Sequence, residues 1–336
     1  MSNYFGREDL ARLKHLRGIL LSIEERVPGT PAPRYWDFER DLELYDSTFA
    51  QRIGWKWRAA LSELAERGFV APGGKVLDYG CGTGIAAREW LAGGLGASKH
   101  VQLWDREGLA RSFAAKQVRA EHPGAKVTSL QRPPSPNDLE GNEVLLVSHV
   151  LDELGEGHVM ELLTVARRAG AVIWVEPGSR ITSRRLSEVR DALLDEFDVV
   201  APCTHSAQCG ALRGDAERTW CHFFGEPAQE AFIDGRWAEF GRELGIDMRS
   251  LPYSYIALTR RVGATPAPDL GGARLLGRPR VQRGRALIDT CEAVGVREEM
   301  LLQRLDKALF KALERNELRR VIFERVDEKI VGITRP

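Results

Sequence analysis

The chain has 336 residues, with 48 lysines and arginines against 48 aspartates and glutamates, 43% hydrophobic and 29% charged residues. That length suits a large core, one main domain plus additions, and that composition is ordinary for a globular protein rather than a disordered or fibrous one. A net charge of zero excludes a surface that is basic throughout, and no apolar run approaches the roughly 18 residues of a membrane span.

The first 70 residues read as a helical region. Leu10, Leu13, Leu16, Ile19, Leu20 and Ile23 recur at spacings of three and four, as do Phe49, Ile53, Trp57, Leu61 and Leu64. Pro28, Pro31 and Pro33 divide the region into two pieces. Glu8, Asp9, Glu24 and Glu25 among its basic residues fit neither a secretory signal nor an acid-poor transit peptide, so a cytoplasmic location is expected.

From Lys75 short β-rich runs alternate with helical ones, the signature of a parallel sheet with crossover helices. Strands are expected at 76–79, 101–104, 126–130, 144–148 and 172–176, and helices at 85–91, 109–121, 155–168 and 183–196. Segments 198–201, 220–224 and 253–259 supply the last strands of a seven-stranded, mostly parallel, Rossmann-like sheet. Residues 262–272, rich in Gly, Pro and Ala, read as a linker. The expected organisation is a helical region (1–70), a main α/β domain (71–262) with a Cys-rich insertion at about 200–225, and a C-terminal basic module (263–336) with a helix around 299–317.

Between the first strand and its helix lies Val76-Leu-Asp-Tyr-Gly-Cys-Gly-Thr-Gly84. Glycines let the backbone turn tightly and approach a ligand more closely than a Cβ permits. A dinucleotide fingerprint would place its third glycine where Ile85 stands. The G-x-G-x-G spacing, with Asp78 two residues before the first glycine, suits a ligand without a pyrophosphate, and Asp78 is placed to orient the loop and reach a charged methionine end. Asp105 closes the second strand, where an acid accepts hydrogen bonds from ribose hydroxyls. These features predict an S-adenosylmethionine pocket formed by Asp78, Gly80, Cys81, Gly82, Gly84 and Asp105.

Ligands in open α/β sheets bind at the carboxyl ends of the strands, so Ser148 and His149 after the fourth strand, and Glu176 to Ser179 after the fifth, belong to the same edge. His149 is read as backing the cofactor or capping the next helix rather than as a base. Asp152 and Glu153 are read as stabilising a helix N-terminus. No Asn-Pro-Pro-Tyr box follows the fourth strand, so the usual signature of exocyclic amine methylation is missing.

Besides Cys81 in the glycine loop, the chain has Cys203, Cys209, Cys221 and Cys291, and four thiolates complete a tetrahedral set. Zinc and an iron-sulfur cluster both accept four thiolates. The tight C-x2-C pairs usual for zinc are missing, although His205 and His222 stand beside the cysteines as alternative zinc ligands. Four separate buried thiols give the same spacing, so spacing alone leaves the metal and its type open. From Arg260 onward there are 17 basic and 11 acidic residues, and Arg274, Arg278, Arg280, Arg283 and Arg285 form a run with no acid between them. That run reads either as a phosphate-contacting patch or as a solvated surface segment.

The glycine loop, Ser148-His-Val-Leu-Asp-Glu-Leu154, Val175-Glu-Pro-Gly-Ser179, the Cys203 to Cys209 stretch, Trp220-Cys-His-Phe223 and the distant Cys291 occur in that order. In this the chain resembles the ribosomal small-subunit methyltransferase-like family, over roughly residues 40 to 300. The resemblance implies a class I methyltransferase fold that binds the assembling small ribosomal subunit or its rRNA, with Cys203, Cys209, Cys221 and Cys291 holding a 4Fe-4S cluster. Thr204 and Gly210 depart from the family pattern, in which prolines often follow the first two cysteines. Three functions fit: an active rRNA methyltransferase, a non-catalytic assembly factor that keeps the cofactor pocket, and a small-molecule or protein methyltransferase with a structural zinc.

Overall fold

The computed structural model describes residues 4–24, 33–213, 218–263, 269–315, 317–318, 320–326 and 329–334. The expected breaks at Pro28 and Pro31, and positions 264–268 of the expected linker, lie outside the described residues. The chain begins with α1 (Arg7–Glu24), α2 (Glu39–Tyr45), a π-helical stretch (Asp46–Ala50) and α3 (Gln51–Glu66). The alternating part follows as β1 (Val76–Tyr79), α4 (Ile85–Gly93), β2 (His100–Trp104), α5 (Gly108–Glu121), β3 (Lys126–Ser129), β4 (Val144–Ser148), α6 (Glu156–Ala166) and β5 (Ala171–Pro177). Next come α7 (Arg180–Leu193), β6 (Phe197–Ala201), α8 (Gly210–Arg213), β7 (Phe223–Phe224), α9 (Glu230–Ile233), α10 (Gly235–Leu244) and β8 (Pro252–Arg260). The chain ends with β9 (Ala273–Gln282), β10 (Arg285–Glu292), β11 (Gly295–Leu302), α11 (Lys307–Glu314), β12 (Ile322–Val326) and β13 (Lys329–Thr334). Among the described residues no helix is long and apolar enough to cross a membrane.

The chain divides into two compact units. The first comprises Met1–Ser62, Val70–Val175 and Gly225–Leu251. Its strands pair in parallel in the order β3-β2-β1-β4-β5, with Val76 opposite Val101 on one side and Val144 on the other. Helices cover both faces of such a sheet, which is why β4 and β5 are continuous apolar runs. Val144 to Val147 and Ala171 to Val175 are almost completely buried. The chain builds outward from β1 to β3 and then returns to β4, so the carboxyl ends of β1 and β4 flank a crevice. This is the expected Rossmann-like sheet, with strand ends within one or two residues of those read from sequence. The N-terminal helices join the same unit: Leu13, Leu16, Trp36, Leu42 and Phe49 share one core with Phe113 of α5 and with Trp237, Phe240 and Leu244 of α10.

The second unit comprises Glu63–Phe69, Glu176–Phe224 and Pro252–Pro336. In it β8 pairs antiparallel with β6, Phe197 opposite Arg260, and with β7, Phe223 opposite Tyr253. A separate antiparallel sheet runs in the order β11-β10-β9-β12-β13. Its core contains Leu275, Ala286, Ile288, Phe310, Leu313 and Phe323. The helix expected at 299–317 is shorter than its composition suggested. Glu299, Met300, Leu301 and Leu302 pair with Ile288 to Arg285 of β10, so strand pairing overrides the helix propensity of Glu, Met and Leu. The helix starts at Lys307, where the Asp306 carboxylate accepts a hydrogen bond from the Leu309 N–H at 2.8 Å.

Candidate functional site: a cofactor cleft and a thiol cluster

The carboxyl end of β1 turns sharply. Gly80, Gly82 and Gly84 have φ of 70°, 50° and 80°, the left-handed region that L side chains disfavour. A Cβ on Gly80 would lie 2.4 Å from Val150 Cγ1, so this position also needs the space. The Gly80 and Cys81 N–H groups donate to the Trp104 carbonyl at 2.8 and 2.9 Å, tying the loop to the end of β2. The Gly82 N–H donates to Asp105 Oδ2 and the Glu107 N–H to Asp105 Oδ1, both at 2.9 Å. Asp105 thus fixes the loop with two acceptor sites while keeping lone pairs for a ligand.

A cleft of about 840 Å³, counting its open mouth, lies over this loop. Of the expected cofactor residues, Gly80, Cys81, Gly82, Asp105, Ser148 and His149 line it. Asp78 and Gly84 are not in the lining. Asp78 is fully buried behind the loop, its Oδ2 accepting from the Ala87 N–H of α4 at 3.2 Å, while Oδ1 is buried with no hydrogen-bond partner. Burial pushes Asp78 up to about 7, against the Ala87 hydrogen bond. Its role in orienting the loop is therefore direct, and its reach toward a ligand is not. Burial also pushes the Cys81 thiol well up, so it is neutral.

His149 has φ of 55°, the one described non-glycine residue in the left-handed region. Its N–H donates to the Val175 carbonyl at 3.0 Å, and its Nε2 lies 3.4 Å from Lys56 Nζ. Burial first, then Lys56 and Arg52, push its pKa well down, which leaves the imidazole neutral. Ser148 Oγ accepts from Trp57 Nε1 at 2.9 Å.

Sequence reading missed part of the wall. Tyr35, Trp36 and Tyr45, from the segment before the sheet, line the cleft beside Tyr79 and Trp104. Tyr79 and Trp104 meet at a tilt of 45° with centroids 4.4 Å apart, and Tyr35 and Trp36 meet edge-on with centroids 4.3 Å apart. Glu153 does not cap a helix, since α6 begins at Glu156. It lines the cleft, accepts from Tyr35 Oη at 2.8 Å, and is pushed up to about 7 by burial. The aromatic pair Tyr35-Trp36, which fits no helical stripe, was the available signal. Ser179, expected at the cofactor edge, caps α7 by accepting from the Thr182 N–H at 3.3 Å.

The second unit gathers the other four cysteines. Cys203 follows β6, Cys209 precedes α8, Cys221 precedes β7 and Cys291 lies on β10. Burial raises the Cys221 thiol well above its ordinary value, and Cys203, Cys209 and Cys291 add to the shift. Cys291 is likewise raised, by burial and then by Cys203 and Cys209. The four sulfurs therefore lie within electrostatic range of one another, in surroundings that disfavour thiolates without a compensating cation. Asp191 accepts from the Cys209 N–H at 3.0 and 2.9 Å, and the Arg67 guanidinium donates to the Cys203 carbonyl at 2.9 Å. Arg190, almost completely buried, donates to the carbonyls of His205 and Ala207, both at 2.9 Å.

The residues that follow the first two cysteines each make a local contact. A Cβ on Gly210 would lie 2.8 Å from Gly295 Cα, so the loop meets the β10–β11 turn backbone to backbone. Thr204 Oγ1 donates to the Gly272 carbonyl at 2.9 Å. His222 is packed against Trp220, ring centroids 4.7 Å apart, with Nδ1 3.2 Å from the Trp220 carbonyl. Among the described residues, no three of His, Cys, Asp and Glu are arranged to hold a metal ion.

Arg274 does not belong to a surface patch. It is 2% exposed, pairs with Glu63 at 2.8 Å, and lies 4.8 Å over the Phe223 ring. Arg278, Arg280, Arg283 and Arg285 are exposed.

Residues 55–317 match the family described as mitochondrial small ribosomal subunit Rsm22. That description is mitochondrial, in contrast to the cytoplasmic location expected from the N-terminus. No curated protein matches the chain. Solved structures similar to it include magnesium protoporphyrin IX methyltransferase from Synechocystis PCC 6803 with bound S-adenosylmethionine, at 13% identity and a TM-score of 0.38, covering 77% of this chain and 100% of that one. A putative RNA methyltransferase from Pyrococcus horikoshii is 14% identical with a TM-score of 0.38, covering 75% and 98%. An uncharacterized protein from Burkholderia thailandensis is 13% identical with a TM-score of 0.40, covering 77% and 95%.

Proposed function

Because the chain belongs to the mitochondrial small ribosomal subunit Rsm22 family, we propose that it is an S-adenosylmethionine-binding, methyltransferase-like protein that acts on the small ribosomal subunit or its rRNA. The observation that carries the cofactor half is the cleft at the ends of β1, β2 and β4, where the glycine loop is tied to Asp105. Asp105, Glu107 and Glu153 accompany a single guanidinium, Arg106, among the lining residues. That balance favours a cationic sulfonium over the phosphates of a dinucleotide.

In this reading Asp105 accepts the ribose hydroxyls, and the open backbone at Gly80 and Gly82 admits the ligand. Tyr79, Trp104, Tyr35 and Trp36 supply aromatic surface for a purine. The cofactor, when bound, supplies a methyl group already activated by a positive sulfur. The chain's own part is to hold an acceptor in line and to keep water out. His149, neutral and fixed by the Val175 carbonyl, backs the cleft without adding charge.

We further infer that Cys203, Cys209, Cys221 and Cys291 hold a 4Fe-4S cluster. Four converging thiols are the donor set such a cluster takes, and Arg190 and Arg274 stand near them to offset its charge. A zinc ion needs its thiolates about 3.8 Å apart, from a Zn–S bond of about 2.3 Å, whereas a cubane cluster spaces them more widely. The cluster would tie β10 to the loops that carry the other three sulfurs.

Labelled S-adenosylmethionine and immature small subunits test the whole reading. Transfer of label to rRNA, lost in Asp105→Ala, supports an active methyltransferase. Binding of donor and subunit with no label transferred supports the assembly-factor form. Failure of the folded protein to bind the donor removes the cofactor half.

A further inference from the structure

We propose that the C-terminal module is an oligonucleotide-binding barrel, and that single-stranded RNA lies across the exposed side of β9, β10 and β11 beside the contacting rings of Trp220, His222 and Phe224. This deepens the ribosomal reading above and rests on it only for the biological source of the RNA. The connectivity carries the first step. Strands β9, β10 and β11 form an antiparallel meander, α11 follows, and β12 returns to pair with β9, Ile322 opposite Arg274, before β13 pairs with β12. Three strands, a helix and two strands, with the first strand shared between the two halves, is the order of the five-stranded, partly open barrel that binds oligonucleotides on its second and third strands and the adjoining loops.

Side chains decide which part of that face is available. On β10, Ala286, Ile288 and Thr290 point into the core, while Arg285, Leu287, Asp289 and Cys291 take the other face. The Cys291 end is committed to the thiol cluster. The opposite end carries Arg285 opposite Leu302 and Leu287 opposite Met300, which is 55% exposed. Arg278, Arg280 and Gln282 alternate to the exposed side of β9, and Arg283 stands in the two-residue turn that joins it to β10. Four guanidiniums thus line this side, against the carboxylates of Asp289 and Glu298 that pair with Arg280 at 2.9 and 2.8 Å.

The stacking surface adjoins these arginines. Phe223 is buried, whereas Trp220, His222 and Phe224 are partly exposed and in ring contact with one another. Trp220 and His222 are nearly parallel, at 19°, His222 meets Phe224 edge-on at 5.7 Å, and the Arg278 guanidinium lies 4.0 Å over the Phe224 ring. The Gly277 N–H donates to the His222 carbonyl at 2.9 Å, which fixes this ladder against β9. Rings beside a cationic track are what unpaired bases and their backbone recognise, whereas duplex RNA hides its base faces.

Fluorescence anisotropy with the 336-residue chain tests this using a labelled single-stranded RNA of about twelve nucleotides and a duplex of equal length. The expected result is salt-dependent binding that prefers the single strand. Arg283→Gln combined with Arg285→Gln should lower the slope of log affinity against log salt by about 0.7 for each contact removed. Trp220→Ala should weaken binding about tenfold with the slope unchanged, and Trp220→Phe should restore it. Circular dichroism and thermal melting confirm that each variant is intact, and the arginine pair, being exposed, reports even if Trp220→Ala misfolds. Preference for the duplex, or an unchanged affinity and slope in the arginine variant, overturns the proposal. Loss of donor binding with RNA binding intact would sink the cofactor reading alone, and the reverse result would sink this one alone.

Discussion

Burial holds the Asp78 carboxyl at a pKa of about 7, far above its ordinary 3.8, and among the described residues its Oδ1 meets no hydrogen-bond donor. The sign follows from linkage. A carboxyl whose pKa is raised by folding adds stability while it is protonated, and that contribution is lost as the pH rises through its folded value. Asp78→Asn keeps the shape and removes the charge. In the ligand-free protein it should raise the urea midpoint at about pH 8 relative to the unsubstituted chain, and the difference should shrink steadily as the pH falls from about 7 toward about 4. Glu153, also raised to about 7, keeps its own pH dependence in both proteins. Parallel curves across that range would remove Asp78 as a titrating buried acid. At this scale Gly80, Gly82 and Asp105 were legible as residues of the cleft wall, because backbone geometry restricts those positions to few residue types, whereas Asp78 and Gly84 stand outside the lining. Tyr35, Trp36, Tyr45 and Glu153 were not, because only tertiary packing brings them to the cleft.

Glu63, fully buried in the last turns of α3, receives Arg67 at 2.8 Å and Arg274 of β9 at 2.8 Å. Burial works to raise its pKa, and the two guanidiniums outweigh burial and hold it below its ordinary value. Arg67 also donates to the carbonyls of Val200, Pro202 and Cys203, at 2.8 to 2.9 Å, so one acid positions the arginine that holds the first cysteine loop. Removing one partner of a buried ion network leaves uncompensated charge. Glu63→Gln should therefore cost about 3–5 kcal/mol in urea unfolding, and a cost below about 1 kcal/mol would mean the network behaves as a surface pair. Elements differ in how plainly the sequence announces them. Strands β1, β4 and β5 stand out because a parallel sheet covered on both faces demands continuous apolar runs. Strands β9 to β11 were hidden, since their exposed side is rich in arginine and acids and the end of β11 is made of helix formers. Helix α10 was missed as well, although its Trp237, Phe240 and Leu244 follow a helical period and pack in the first unit's core.

Across the whole chain, the central relation is between a cofactor cleft in one unit and four thiols in the other, read from two motifs that share no residues. Cys291 reaches its partners from 70 residues beyond Cys221 because β10 is folded back by the antiparallel sheet. If the quartet holds a cluster, Cys291→Ser should lose iron and visible absorption after oxygen-free purification. Retention of both would exclude Cys291 as a ligand. The cysteine set was legible as a list of thiols but not as a place, since nothing in the spacing says which strand returns the last sulfur. Titration calorimetry of the folded 336-residue chain with S-adenosylmethionine and with its demethylated product probes the cleft itself. Saturable binding of both is expected, weakened at least about tenfold in Asp105→Ala, the loss when a ligand hydroxyl gives up hydrogen bonds to a carboxylate. Absence of heat with either ligand at several temperatures, on protein shown to be folded, would contradict it.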